Sequence, residues 1–598
     1  MPYTRKAGTA MAEFYVSPTG DDTAPGSLER PFATIERARR AARQAAGDVV
    51  VHLRAGTHVL AEPLHLTGDD SGRDGHRIVY RAHGYGTDRQ EHAVVSGGRE
   101  ITGWTERQGV WLAEVGDLDT RQLTVDGRRA ERAGVDALPG DARRTVTGYV
   151  TDSAAPLAWR LPGVEFVYRG VYPWTEARCP VAAVDRDGGS TAITMAQPAF
   201  GWAIDLYNSA WEGQVTAGPG LPTRVENDPS FLTEPGTFVL DRSRPGDHVL
   251  HYLPRPGEHP SRTRVVAPVL ETLLRATDTR DVSFLGIVFA DATWLRPGTE
   301  RGFLHYHGSG YYDGEGDIDK VVIVEGQAWV TVPTRTRTIP AGVVLEDTAG
   351  MRFEGCRFTR LGATALGASG GSDLTVRGCD FDTLAASAVT ITGTRRALIE
   401  DNLIQRAGLD YSGSPGIALL DTVGCTVAHN HVTDVPHCGI AAGPGRGTRI
   451  TRNLLTRTMG VLADGGGVYV AGPQGDSADT GAVISGNVIE DTLTPYNFGL
   501  YTDYGAAWVK VEGNVVARAD NTAVLHVSPP LEHVVYRGNV WDADPLGGDD
   551  VPAGVTYEGN ATPADEKEFD AAAAGIRAAA GLLRGGRTTR PRTGSVHG

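Results

Sequence analysis

One eight-residue phrase returns along the second half of the chain. Apolar positions alternate, a Gly or Asp commonly follows, then Asn or Cys, then another apolar pair. It reads VSFLGIVF at 282–289, MRFEGCRF at 351–358, LTVRGCDF at 374–381, ALIEDNLI at 397–404 and CTVAHNHV at 425–432. It continues as TRITRNLL at 448–455, AVISGNVI at 482–489, VKVEGNVV at 509–516 and VVYRGNVW at 534–541. The sixth position is Ile287, Cys356, Cys379, Asn402, Asn430, Asn453, Asn487, Asn514 and Asn539, and from Cys356 on the steps are 23, 23, 28, 23, 34, 27 and 25 residues. A period of this length, with a short strand in each repeat, is the mark of a solenoid. No rung can bury its apolar face alone, but stacked rungs share one core. Asn at one corner of successive rungs can satisfy the buried corner backbone along the stack. The expected fold is all-β, a right-handed parallel β-helix. Cys356 and Cys379 share the Asn slot and are expected to be small buried residues.

A second register follows in each rung, a small residue before a core residue: Ala365-Leu366, Ala388-Val389, Gly416-Ile417, Gly439-Ile440, Gly467-Val468, Gly499-Leu500 and Ala523-Val524. Period-2 alternation then turns Leu500 and Thr502 inward, and Tyr501 and Asp503 outward. The long steps mark insertions around Leu409–Pro415 and Ala463–Thr480, and such insertions gather on one face, often the binding face.

The rest of the chain divides around this region. Residues 1–100 hold an amphipathic helix from about Pro31 to Ala46, which would cap the open end, and the first rungs. Residues 101–267 lose the rung pattern and hold six of the ten tryptophans, Trp104, Trp111, Trp159, Trp174, Trp202 and Trp211. They read as an inserted antiparallel β-domain, sandwich-like. The main helix occupies 268–545, interrupted by an excursion at Arg296–Pro340. Residues 546–598 read as a second capping helix and a disordered basic tail.

Composition excludes several functions. The charge is −16, from 57 Lys and Arg against 73 Asp and Glu, which disfavours nucleic acid and anionic membrane as partners. Glycine is abundant, 77 of 598 residues, but without the triplet period of collagen. The five cysteines, Cys179, Cys356, Cys379, Cys425 and Cys438, are too few and too scattered for a disulfide framework or a zinc site. No metal or cofactor is expected. The first residues carry no apolar export segment, and no run approaches a membrane span, so a cytoplasmic location is expected.

No phosphate-binding loop, dinucleotide fingerprint or serine-hydrolase elbow is present. Two acidic motifs stand out instead. DGGGVY at 464–469 ends the longest insertion and runs into a strand, and FGLYTDYG at 498–505 is the equivalent strand of the next rung. Tyr469 and Tyr501 align. Rungs stack about 4.8 Å apart, so Asp464 and Asp503 form a candidate carboxylate pair for glycoside cleavage. Seven aligned positions separate them, so the Gly465–Gly467 run must curl Asp464 back over the strand face. Asp410, Tyr411, His437, Trp508, His526 and Trp294 are further candidates for holding a sugar, as are Asp476, Tyr496 and Asn497.

The chain resembles the β-helical glycoside hydrolases of families 141 and 120. The likeness rests on FYVSPTGDD with PFATIERARRA, LRAGTHVL, VVSGGREITGW, RQLTVDGRRAERA, ENDPSFLTEPGTFVLD, HYLPRPGE, FLGIVFADATWLRP, DGGGVY and GLYTDYG, in that order over roughly residues 13–545. These families include β-xylosidases, α-L-fucosidases and xylanases. The resemblance implies that Asp464 and Asp503 are catalytic, with Tyr469 and Tyr501 at the substrate. In family 120 an Asp pairs with a Glu about one rung on. The Asp in GLYTD therefore favours the family 141 pattern. Exo action on plant-type oligosaccharides, and a possible homo-oligomer, complete the expectation. Two other readings stay open on the same fold: a polysaccharide lyase, and a non-catalytic sugar-binding solenoid.

Overall fold

The corner residue before each repeated Asn or Cys has a left-handed backbone. Gly355 (φ 59°), Gly378 (60°), Asp401 (58°), His429 (55°), Arg452 (54°), Gly486 (65°), Gly513 (62°) and Gly538 (62°) share it. Glycine adopts this region freely and Asp tolerates it, which accounts for the composition of the repeat at this point. In the computed structural model, which describes residues 11–583, these corners stack into a right-handed parallel β-helix. The basic tail from Arg584 and the first ten residues lie outside the described part.

Each full rung has three short strands. One rung runs Val389–Thr392, Leu398–Glu400, Leu403–Gln405. Parallel pairing joins each to its counterpart in the next rung, as Val389↔Ile417, Leu398↔Thr426 and Leu403↔His431. The first sheet carries the column Gly367, Thr390, Ala418, Ala441, Tyr469, Tyr501, Val524, all facing outward. Their neighbours Leu366, Val389, Ile417, Ile440, Val468 and Leu500 face in and are buried.

One hydrophobic core runs from Val16 to Trp541. Side chains stack at rung spacing inside it: Tyr80 on Phe284 (5.2 Å), Phe284 on Phe353 (5.1 Å), Phe289 on Phe358 (5.2 Å) and Phe358 on Phe381 (4.7 Å). The Asn ladder is continuous. Each Nδ2 donates to the next Oδ1 at 2.9 Å from Asn402 through Asn430, Asn453, Asn487 and Asn514 to Asn539. Asn560 extends it by one step. Each Oδ1 also accepts a backbone N–H, as from Asn430 to Asn453 at 3.0 Å. Cys379 occupies the slot with its Sγ 3.4 Å from the Phe353 carbonyl, where Asn402 places its amide on Val376 O. The thiol is therefore buried and also takes over a weak version of the amide's donor role.

The helix Ile35–Gln44 begins at Thr34, whose hydroxyl accepts from Arg37 N–H, and seats Ile35, Ala38 and Ala42 on the core. It covers the first rung. The second helix, Glu566–Ala579, differs from expectation. Phe569 and Ala573 pack on Val488, Val515 and Val540, the outer flank of the last rungs. The end of the core is covered instead by Leu546, Val555 and Tyr557.

The inserted region holds two cores. Trp111, Phe238, Leu250 and Tyr252 fill one under an eight-stranded sheet, and Phe166, Tyr168, Phe200 and Tyr207 the other. Five of its six tryptophans pack into or against these cores, but Trp211 is exposed. The excursion at 296–340 joins this region in space. Its strand Phe303–His307 pairs with Glu176–Asp187, and Ala328–Pro333 pairs with Asn208–Trp211. Together they form a wall beside the first sheet of the β-helix.

Candidate active site

The longest insertion lengthens two neighbouring strands of the first sheet, Gly466–Pro473 and Phe498–Glu512. Their pairing sets Tyr469 beside Tyr501 and Ala471 beside Asp503. The inward neighbours of Asp503, Leu500 and Thr502, are buried, and Thr502 is bonded to Tyr536 (2.9 Å), so the strand presents Asp503 rigidly. Asp464 lies at the corner before the strand, in the left-handed region (φ 54°). Its N–H donates to the Tyr496 carbonyl at 2.8 Å.

The two tyrosines then cross. Tyr501 Oη donates to Asp464 Oδ1 at 2.9 Å, and Tyr469 Oη donates to Asp503 Oδ2 at 2.8 Å. Each phenol holds the carboxylate contributed by the other rung. The rings meet edge to face at 5.2 Å, over a small apolar floor of Cys438, Ala441, Met459 and Phe498. The separation in register is spanned because Asp464 does not sit on the strand; Tyr501 reaches back to it at the corner. Close packing there requires glycine. A Cβ on Gly465 would stand 2.7 Å from His437 Nε2, and one on Gly467 would stand 2.4 Å from Ile489.

Burial raises the pKa of both carboxyls. For Asp464, desolvation acts first and the charge of Asp503 adds to it, while the Tyr501 hydroxyl opposes; the result is about 6. Asp503 is raised by desolvation, against hydrogen bonds from Tyr469, the Tyr504 backbone and Tyr501. Two carboxyls of raised pKa, each held by a tyrosine hydroxyl, thus lie at one place on the sheet.

A cleft of about 310 Å³ opens from Tyr469 between the first sheet and the excursion wall. His307, on that wall, has its ring centre 5.0 Å from that of Tyr469.

The family model "Right handed beta helix region" matches residues 322–477. No curated protein matches the chain significantly in sequence. A solved structure described as "Glycoside hydrolase" is similar over 96% of this chain and 100% of its own, with TM-score 0.73 and 22% identity. The structure described as "The complex structure of XylC with xylose" is similar over 88% of this chain and 75% of its own, with TM-score 0.51 and 13% identity. At these identities the likeness shows the fold alone, a parallel β-helix.

Of the residues expected at a sugar, the structure gathers Asp464, Tyr469, Tyr501 and Asp503. His437 adjoins them from below: it is buried, and its Nε2 faces the Ala463 carbonyl at 3.2 Å, supporting the Asp464 corner. Desolvation, then His305, push its pKa down to about 3, so it is neutral. Tyr496 is exposed beside the pair and its pKa is raised to about 12, by burial of the hydroxyl and then by both carboxylates.

The expectation fails for Asp410, Tyr411 and Trp294. Tyr411 is fully buried, packed on Trp294 (5.1 Å) and Phe303 (4.8 Å). Asp410 accepts from Arg129 and from Gln122 (3.0 Å), and its carbonyl accepts from Arg178 (2.7 Å). Burial alone would raise its pKa, but Arg129 holds it well below the usual range. The 409–415 insertion thus welds the inserted region to the helix. Asn497 is buried against Thr492, and Asp476 is an exposed partner of Arg446. Trp508 stacks on His533 at 3.9 Å, while His526 is exposed beyond Val524. Residues that sequence reasoning missed are His307 and Tyr306 on the wall, and Tyr504, whose backbone serves Asp503. The excursion's position after VSFLGIVF was a signal that it stood beside the sheet, but nothing local paired it with residues 176–211.

Proposed function

We propose that the protein is a glycoside hydrolase in which Asp464 is the general acid and Asp503 the nucleophile. The crossed Tyr–Asp pairs carry this reading. Asp464, whose pKa is raised to about 6, retains a proton at mildly acidic pH for the leaving oxygen. Asp503 accepts from Tyr469, the Tyr504 backbone and Tyr501, donors that favour its charged form against the desolvation that raises its pKa. Tyr501 bonds Asp464 and contributes to Asp503, so about one hydroxyl separates the two. That suits the narrower spacing, about 5 Å, used in double displacement. Asp503 attacks the anomeric carbon as Asp464 protonates the departing oxygen. Asp464 then takes a proton from water, which attacks the same carbon and frees Asp503.

The cleft favours hydrolysis of an uncharged sugar over lyase chemistry. Among its lining residues there is no Lys or Arg, whereas elimination from a polyuronate requires a charged carboxylate to be received beside the reacting carbon. The xylose in the XylC complex makes a β-xyloside a first substrate to try, with an α-L-fucoside second. A panel of 4-nitrophenyl glycosides, with product analysis, tests the reading. Release of a reducing sugar is expected. An unsaturated, ultraviolet-absorbing product would make it a lyase, and no turnover on any glycoside or oligosaccharide would leave a binding solenoid.

A further inference from the structure

The cleft beside Tyr469 is longer than one catalytic step requires. Its floor is the outward column Tyr469, Ala441, Ala418, Thr390, three rung steps or about 14 Å at 4.8 Å each. The side chains at its middle, Ala441 and Ala418, are the smallest that still cover the sheet, which leaves depth above them. At the far end Ser309 Oγ bonds Ser387 (2.9 Å) and Thr390 (3.0 Å), fixing a cluster of hydroxyls between wall and floor.

The opposite wall has a matching alternation. Thr334, Thr336 and Thr338 line the cleft. The intervening Arg335 and Arg337 turn away to Glu315 (3.0 and 2.8 Å), and Arg337 also pairs with Asp313. The threonines lie on the cleft side and the arginines on the other, with the Thr334 hydroxyl bonded to the Asp317 backbone (2.9 and 3.0 Å) and so fixing that edge of the wall. On the other side of the carboxylate pair a bridge joins sheet and wall. Beyond Tyr501 the column continues to Val524, and the segment after it is tied to the wall by Ser528 Oγ donating to the Ile323 carbonyl at 2.7 Å.

We propose that this hydroxyl-lined trough is an extended binding site for the leaving-group side of an uncharged oligosaccharide. The chain lies along the helix axis from Thr390 to Tyr469, with its terminal sugar at the carboxylate pair. The proposal rests on the hydrolase reading and adds direction to it. The terminal residue occupies the bridged end, so cleavage is exo, and the sugars released as leaving group occupy the trough. Sugar hydroxyls exchange hydrogen bonds with Ser and Thr, and apolar sugar faces lie on Ala418, Ala441 and Leu420.

The test compares a 4-nitrophenyl monoglycoside with di- to pentasaccharides of the sugar found in the screen. In the wild type kcat/KM should rise with length, then level off. Ala418→Trp, which fills the floor, should lower kcat/KM on the longest substrate by about tenfold or more, equal to about 1.4 kcal/mol. The aryl monoglycoside should change little. Thr336→Trp fills the same space from the wall and should act alike, which guards against misfolding of either variant. Rates independent of length, or equal losses on both substrate types in both variants, would overturn the trough. Calorimetry on Asp503→Asn with xylobiose to xylopentaose, used whether or not the screen finds turnover, separates the two ideas. Affinity that grows with length, without turnover by the wild type, would refute the hydrolase reading and keep the trough. Affinity independent of length would refute the trough itself.

Discussion

The Tyr501 hydroxyl lies 2.9 Å from Asp464, while Asp503 stands two residues further along the strand that carries Tyr501. One strand thus delivers a carboxylate and also restrains the carboxylate of the rung before it. Tyr469 returns the arrangement to Asp503.

Asp464→Asn and Asp503→Asn should each lower kcat by at least ~10³, because acid–base assistance alone is worth about 10²–10⁴. Steady-state kinetics on the best substrate checks this. A variant that keeps more than a tenth of wild-type turnover removes that residue from the catalytic pair. Azide should rescue a shortened Asp503 variant with formation of a glycosyl azide of inverted configuration, whereas an Asp464 variant should give the glycosyl azide of retained configuration by attack on the Asp503 intermediate.

The basic limb of the pH–rate profile should report Asp464. Its pKa is raised to about 6, so the protonated acid, and with it the rate, is lost as pH rises through that value. Tyr501 donates to the charged form and holds the pKa down. Tyr501→Phe should therefore move the basic limb to higher pH while kcat falls. A limb that stays in place or moves lower would contradict the assignment.

The same shift predicts a stability signature. A folded-state pKa above the ordinary carboxylate value of 3.8 means that Asp464 favours folding below that value. The advantage is lost as pH rises through about 6. Asp464→Asn at pH 7 should melt at or above the wild-type temperature. A clear loss in Tm would show that the side chain is structural.

Gly465→Ala should impair catalysis without unfolding the protein. The new Cβ would meet His437 Nε2 at 2.7 Å and Met459 Cε at 2.8 Å, forcing the Asp464 corner outward. A misplacement of about 1 Å can cost ~10²-fold in rate. Thermal melting and kcat measured together distinguish this from simple destabilisation; unchanged kcat would mean the corner has slack.

Asn453 is fully buried and serves four hydrogen bonds, to Val427 O, Asn487 Oδ1, and the Asn430 N–H and Nδ2. Asn453→Ala strands several of them, each costing about 1–3 kcal/mol. Asn453→Cys should cost less, because Cys379 shows that a thiol in this slot can reach the carbonyl. Denaturant unfolding of the two variants gives the order; equal losses would reject the thiol's role.

The Asn corners and the in–out order of residues 500–503 were readable because both follow from spacing along the chain. The left-handed corner requires Gly or a tolerant substitute, and the Asn ladder requires the same side chain at every rung. Tyr411 and Trp294 were misread for the opposite reason. Both are large aromatics in loops, and only Phe303 and Arg178, brought together by strand pairing between distant segments, make their surroundings a core. The crossed Tyr–Asp bonds were also invisible: alignment placed Tyr469 beside Tyr501, but which carboxylate each phenol holds depends on the turn at Asp464.

The wall of the trough is anchored outside the solenoid, through Leu304↔Ala177 and Trp329↔Ala210. Its tip at 333–338 can therefore change length or chemistry without disturbing the stacking that holds Asp464 and Asp503, whereas the tip at 306–310 meets Tyr469 through His307. On the proposed reading, selectivity and reactivity lie on separate pieces of chain. A laboratory library confined to 333–338 should redirect which oligosaccharides are accepted while the carboxylate pair stays in place.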